Sequence, residues 1–277
     1  MIKNADGSPL LTAGRAASMG ILNVTPDSFS DGGRFVYPVK AIDHVAKMID
    51  AGADIIDIGG ESTRPGAEPV TAEDEMQRVV PVIEALAQRF EVLISVDTSK
   101  AQVMSAAIAA GAGMINDVRA LTEQGALTAA VSAEVPVCLM HMQGQPGTMQ
   151  NSPVYDDVTA EVSDYLRQRV DECVKAGIDQ DMIMLDPGFG FGKTQQQNFK
   201  LLNQLEQLRV YDLPLLVGLS RKSVIGQTLG LAVDDRLYAS LGLALMAHRN
   251  GANILRVHDV KATRDAVRMV EAVLTES

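Results

Sequence analysis

Aspartate, asparagine, histidine, arginine and lysine recur in this chain at one kind of place, directly after a short apolar run. Asn23 follows Met19 to Leu22, Asp57 follows Ile55 and Ile56, Asp97 follows Leu93 to Val96, and Asn116 with Asp117 follows Met114 and Ile115. His141 follows Val137 to Met140, Asp186 follows Met182 to Leu185, Ser220-Arg221-Lys222 follows Leu215 to Leu219, and Arg256 with His258 closes the last run. Taken singly, an Asp or Asn in that place is a helix cap or turn former. A series of this length implies that all of them converge on one rim. Asp117 and Asp57 stay closest to structural duty, the first tying a loop and the second standing behind a ligand-contacting group. Asp97, Asp186 and Asn116 suit a cationic or donor-rich ligand, while Arg64, Arg221, Lys222, Arg256 and His258 supply positive charge. The chemistry implied is one ligand with two differently charged ends.

Such a rim needs a scaffold that gathers the ends of many strands. The apolar runs begin near Met19, Ile55, Leu93, Met114, Val137, Met182, Leu215 and Ile254, a spacing of about 34 residues, the size of a strand-helix-strand unit. Helical period lies between them: Ile42, Val45, Ala46 and Ile49 share one face, as do Met76, Val79, Ile83 and Phe90. Thr71 with Asp74 resembles a capping box, and Pro81 is expected to kink the helix that follows. Ala51-Gly52-Ala53-Asp54-Ile55-Ile56-Asp57, Ala110-Gly111-Ala112-Gly113-Met114-Ile115-Asn116 and Asn250-Gly251-Ala252-Asn253-Ile254-Leu255-Arg256 repeat one grammar, a glycine ending a helix before a strand begins. The pattern predicts an α/β fold, a (β/α)8 TIM barrel forming a single domain over residues 1–277, with chemistry where strands end. Residues 1–17 stand outside the repeat. There Asp6-Gly7 offers the turn of a β-hairpin that would close the barrel floor.

Composition removes other classes. With 24 Lys+Arg against 35 Asp+Glu the net charge is −11, the wrong sign for a general binder of nucleic acid or anionic membrane, so any anionic ligand must meet a local cluster of bases. No apolar run approaches the roughly 20 residues of a membrane span, and a cytoplasmic location is expected. Cys138 and Cys173 are too few for a disulfide framework and too far apart for zinc spacing. The four histidines show no metal-ligand spacing, and His44 and His248 fall inside helical patterns.

The loops after the first two runs, Thr25 to Gly33 and Gly59 to Gly66, exceed the two to six residues typical of strand-to-helix connections and are expected to act as lids. The glycine-rich stretch Asp186-Pro187-Gly188-Phe189-Gly190-Phe191-Gly192-Lys193 lacks the glycine spacing of a Walker phosphate loop, which argues against nucleotide hydrolysis.

These residues also carry a family signature. Met19-Gly20-Ile21-Leu22-Asn23-Val24-Thr25-Pro26-Asp27-Ser28-Phe29-Ser30-Asp31-Gly32-Gly33 and Gly59-Gly60-Glu61-Ser62-Thr63-Arg64-Pro65-Gly66 resemble the dihydropteroate synthase family. Ser95-Val96-Asp97-Thr98, Ile115-Asn116-Asp117, Leu185 to Lys193, Ser220-Arg221-Lys222-Ser223 and Arg256-Val257-His258-Asp259-Val260 agree, so the resemblance runs from Ser18 to the C-terminus. It implies a transferase that joins 6-hydroxymethyl-7,8-dihydropterin diphosphate to para-aminobenzoate with release of diphosphate, on the route to folate.

The resemblance further implies roles. Asp186 and Asn116 would hold the amino-pyrimidine edge of the pterin, with Asp97 near the ring and Lys222 on its carbonyl side. Arg256, His258, Asn23 and Arg64 would meet the diphosphate, with Asn23 helping to hold Mg2+. Thr63, Pro65, Phe29 and Phe191 would lie near the aryl ring, whose carboxylate would rest at Ser223 where a helix begins. The loops would close over bound diphosphate before para-aminobenzoate enters. Asp97, Lys222, Arg256 and His258 are the expected catalytic groups, and a homodimer is expected, with Leu241, Leu243, Leu245 and Met246 as one candidate contact. Rival readings are a pterin-dependent methyltransferase barrel, which needs no diphosphate cluster, and a non-catalytic pterin-binding paralogue, which would have lost Asp97, Lys222 or Arg256.

Overall fold

A computed structural model of the chain describes residues 2–25, 36–62, 68–144, 149 and 153–275. Within them eight parallel strands alternate with helices: β1 (Ala17–Asn23), β2 (Ile55–Gly59), β3 (Leu93–Asp97), β4 (Met114–Asp117), β5 (Val137–Met140), β6 (Ile183–Asp186), β7 (Leu216–Val217) and β8 (Ile254–Val257). The helices are α1 (Val36–Asp50), α2 (Ala72–Ala87), α3 (Ala101–Ala109), α4 (Ala126–Ala133), α5 (Val158–Ala176), α6 (Gln195–Asn203), α7 (Ser223–Leu229), α8 (Leu237–Arg249) and α9 (Val260–Thr275). Every strand begins within two residues of its predicted start. The hydrogen-bonded order is β6-β5-β4-β3-β2-β1-β8-β7, and a parallel bridge between Leu185 and Leu215 joins the two ends, completing a (β/α)8 barrel. The Leu185 N–H donates to the Pro214 carbonyl at 2.9 Å in the same seam.

Strands covered on both faces read as continuous apolar runs, because alternate side chains enter two separate cores. Outward residues such as Ile56, Ile94, Ile115, Leu139 and Leu255 pack against the helices, among them Val45 and Met48 of α1 and Val79, Ile83 and Leu86 of α2. Inward residues at the beginnings of the strands, Met19, Ile55, Leu93, Met114, Met184, Leu216 and Ile254, form a second cluster with Ile2 and Leu10 of the N-terminal segment. That segment is the expected hairpin. Lys3 pairs antiparallel with Pro9, Gly7 takes φ +81° in the turn, and Ile2 and Leu10 are fully buried in the barrel floor.

Thr71 caps α2 with its hydroxyl oxygen, which accepts from the Asp74 N–H at 3.1 Å and whose own proton goes to the Asp74 carboxylate at 2.8 Å, so only half of a capping box forms. The α2 helix continues through Pro81. Pro81 lies on its solvent-exposed face, where water can satisfy the carbonyl the ring leaves unpaired.

Candidate active site

Two residues beyond the floor layer, the inward positions of the strands turn polar. Asp57 follows Ile55, Ser95 follows Leu93, Asn116 follows Met114, Asp186 follows Met184 and Arg256 follows Ile254. Asp97 ends β3 in register with Gly59 on one side and Asn116 on the other. The period of two that seals the floor therefore aims these groups into the barrel mouth.

Arg256 organises them. Its Nε donates to Asp57 Oδ2 at 2.6 Å and its Nη2 to Asp97 Oδ2 at 2.7 Å, while Asn116 Nδ2 donates to the same Asp57 oxygen at 3.1 Å. Asp57 is fully buried. Burial opposes the Arg256 charge, but the Asp57 and Asp97 carboxylates outweigh it and hold the guanidinium protonated. Burial, opposed by Arg256, pushes the Asp97 carboxyl up to about 7.

Asp186 ends β6, and its Oδ1 accepts from the Gly188 N–H at 2.7 Å. Burial raises its carboxyl above the usual range against the pull of that N–H and of Lys222, Arg256 and Lys193. Lys222 sits just before α7 with its Nζ 4.1 Å over the ring of Phe191, a cation–π arrangement. Burial, then Arg256, brings the Lys222 ammonium down to about 8 against the carboxylates of Asp186 and Asp97. Asp97, Asp186, Lys222 and Arg256 thus lie within electrostatic reach of one another at the ends of their strands. Ser220 Oγ and His258 Nδ1 lie 3.0 Å apart, joining the ends of β7 and β8. The arrangement offers acceptors for a donor-rich heterocycle beside cations for an anion.

The structure brings together Asp97, Asn116, Asp186, Phe191, Lys222 and Arg256; His258 follows β8 and contacts Ser220, Asn23 ends β1 opposite Gly59, and Ser223 opens α7, exposed. Asp57 and Asp117 take the structural duties expected of them, and Arg221 and His141 lie away from the expected rim. Asp57 sits one level deeper because β2 runs on to Gly59, and it contacts Arg256 rather than the opening. Asp117 points away from the mouth, since it alternates with Asn116, and accepts from the Ser99 hydroxyl and the Arg119 and Leu121 N–H groups. Arg221 is taken by Asp259, with Nε–Oδ2 2.9 Å and Nη2–Oδ1 2.7 Å. His141 is buried behind the glycine-rich loop, edge-on to Tyr165 with ring centroids 4.9 Å apart. Phe29, Thr63, Arg64 and Pro65 lie outside the described residues, as do the central parts of both expected lids.

Two groupings escaped the sequence reading. Lys193, 2% exposed, reaches back across the glycine-rich loop to His141 Nδ1 at 2.9 Å, the Gly188 carbonyl at 2.8 Å and the Phe191 carbonyl at 3.0 Å. Lys100 bridges Glu61 at 2.6 Å and buried Glu75 at 2.5 Å, and Glu61 also accepts from the Val70 N–H at 2.9 Å, fixing both shoulders of the second long loop. The glycines flanking Lys193 were a signal for the first. Nothing in the spacing of Glu61, Glu75 and Lys100 announces the second.

The chain matches the family described as pterin binding enzyme over residues 19–258. It is similar to the dihydropteroate synthase of Escherichia coli strain K12, with 57% identity over 257 residues, 93% of this chain and 91% of that protein. It is also similar to the Yersinia pestis dihydropteroate synthase solved with a sulfonamide drug complex, with 53% identity, a TM-score of 0.91 and coverage of 96% of each chain. A further solved structure, the Xanthomonas albilineans dihydropteroate synthase in complex with 7,8-dihydropteroate, aligns with a TM-score of 0.86 and 47% identity over 95% of each chain.

Proposed function

The chain belongs to the pterin-binding enzymes and, among them, to the dihydropteroate synthases, and we propose that its barrel mouth is where this transferase joins 6-hydroxymethyl-7,8-dihydropterin diphosphate to para-aminobenzoate. The observation that carries the reading is the clamp of Arg256 between Asp57 and Asp97, within electrostatic reach of Asp186 and Lys222: one opening presents carboxylates and cations together. Asp186 and Asn116 accept from and donate to the amino-pyrimidine edge, and a ring lacking those groups would strand them unpaired, at a cost of about 10⁴ in selectivity. Lys222 reaches the carbonyl side. Arg256 and His258, with Arg64, receive the diphosphate.

The bond between the ring methylene and the diphosphate oxygen breaks first, leaving positive charge that the electron-rich pterin spreads. The arylamine nitrogen then attacks the methylene and loses a proton, so a carbon–nitrogen bond replaces a carbon–oxygen bond. Asp97 stabilises the cationic ring and Arg256 the departing anion, each in a site with little water to screen it. Phe191 flanks the aryl ring with Phe29, Thr63 and Pro65, and Ser223 holds its carboxylate.

Among the described residues no three His, Cys, Asp or Glu side chains form a cation cage. The donor set fits magnesium that brings phosphate oxygens with it, since that ion prefers few protein oxygens beside phosphate and water. Asn23 would then contribute its amide oxygen, and the ion would offset charge on the leaving group. A homodimer is proposed through the apolar groove of Phe199, Val224, Ile225, Leu229, Ala239 and Leu243, beside exposed Tyr238 and Met246. The cytoplasm is the proposed compartment, in keeping with the two free, buried thiols.

The test is diphosphate release by the purified protein with both substrates and with each omitted. Release only when both are present is expected. Release from the pterin ester alone at the same rate would make the protein a hydrolase, and none in any mixture would make it a binder without turnover.

A further inference from the structure

We infer that Lys193 is a positioning residue for both halves of this site: its ammonium fixes the backbone that aims Asp186 and the backbone that carries Phe191. An ammonium has three donors, and here each has a taker, the Gly188 carbonyl at 2.8 Å, the Phe191 carbonyl at 3.0 Å and His141 Nδ1 at 2.9 Å. The His141 carbonyl lies farther off at 3.4 Å. When Lys193 is protonated, His141 accepts through Nδ1 and keeps its proton on Nε2; burial, opposed by Asp186, brings the Lys193 ammonium down to about 7, so the full set of donors is present below that value.

Asn198 Oδ1 accepts from the Gly190 N–H at 2.7 Å and the Tyr155 hydroxyl donates to the Gly192 carbonyl at 2.8 Å, and between these anchors Lys193 gathers the Gly188 and Phe191 carbonyls. Gly188 and Gly192 adopt φ +69° and +62°, and a β-carbon there would meet the His141 carbonyl oxygen at 1.8 Å and the Gln143 carbonyl oxygen at 2.4 Å. The close approach turns the carbonyls of Gly188 and Phe191 onto the lysine. The Gly188 N–H, on the same short segment, is the donor that orients Asp186 Oδ1 at 2.7 Å. Phe191 is packed with Met140 and Met149 under the Lys222 ammonium. With Lys193 gone, the Phe191 carbonyl and an imidazole nitrogen lose their donor and the Gly188 carbonyl keeps only the Phe191 N–H at 3.1 Å, in a place closed to water, and the loop relaxes away from both Asp186 and the Phe191 position. At 2% exposure behind the loop, Lys193 acts through these groups rather than on a ligand.

This inference rests on the reading of the mouth given above, and the experiment separates the two. In Lys193→Met, which keeps length and removes the donors, KM for the pterin diphosphate and for para-aminobenzoate should each rise about tenfold, with kcat changed by less than about threefold. A merely structural role would lower the active fraction, reducing kcat while leaving KM intact. His141→Leu removes one acceptor only and should show the same split at about threefold; it decides the matter alone if Lys193→Met does not fold. Equilibrium binding of 6-hydroxymethyl-7,8-dihydropterin to the same variants reads the Asp186 half without turnover. If the unaltered protein binds this pterin but turns nothing over, the functional reading fails while weaker binding by the variants still upholds the inference. Pterin affinity and both KM values within twofold of the unaltered protein would overturn it, and failure of the unaltered protein to bind pterin would overturn both.

Discussion

Replacing Asp186 with asparagine separates the shape of this side chain from its charge. One carboxylate oxygen is already committed, since Oδ1 accepts from the Gly188 N–H at 2.7 Å. If the carboxamide introduced by Asp186→Asn keeps its oxygen on that N–H, its NH2 group faces the mouth and meets the donors of the pterin edge. If it turns over, the buried Gly188 N–H meets a donor instead. In the first case a charge-assisted hydrogen bond to the ligand, worth about 1.5–3 kcal/mol, is replaced by an unsatisfied buried donor costing about 1–3 kcal/mol; in the second the cost falls on the fold and lowers the melt. The first case amounts to about 2.5–6 kcal/mol, or a loss of about 10² to 10⁴ in affinity. Titration calorimetry with 6-hydroxymethyl-7,8-dihydropterin reads that loss, and a thermal melt within a few degrees of the unaltered protein establishes that the barrel is intact. A loss below tenfold in a folded variant would refute the assignment of Asp186 to the pterin edge.

The pH dependence follows from two groups. Asp97 serves as a carboxylate and takes up its proton below about 7, so kcat/KM should fall as pH drops through that value; Lys222 serves as an ammonium and loses its proton above about 8, so kcat/KM should fall again on the alkaline side. Lys222→Arg, which keeps its charge, should remove the alkaline limb, and a limb left in place would assign it to another group. Gly188→Ala should destabilise by about 2–5 kcal/mol, because its methyl meets the His141 oxygen at 1.8 Å at a backbone angle of +69°. Its melting temperature should fall by at least about 5 °C in calorimetry, and an unchanged value would contradict the tight packing of the loop.

Hydrophobic runs and their spacing disclosed the barrel because both faces of each strand are covered, and the polar residues ending them disclosed the mouth. Asp57 stands behind Arg256 as expected, and the depth has a physical cause, since β2 continues past it to Gly59. Alternation explains Asp117 once the inward parity of Asn116 is known, but a strand of four residues gives no parity by itself. The place of His141 behind the loop depends on Lys193, a partner 52 positions away brought near by the glycine turns that precede it. The clamp of Arg256 joins residues up to 199 apart, and no local pattern encodes such a pair.

If one mouth holds a heterocycle through acids and a departing anion through cations, loss of Arg256 should separate the two. Arg256→Ala tests this most directly when the affinities of 6-hydroxymethyl-7,8-dihydropterin and of its diphosphate ester are measured side by side. The free pterin should bind within about threefold of the unaltered protein, while the ester should lose about tenfold or more, the worth of a charge-assisted contact to phosphate. Equal losses for the two ligands would contradict it.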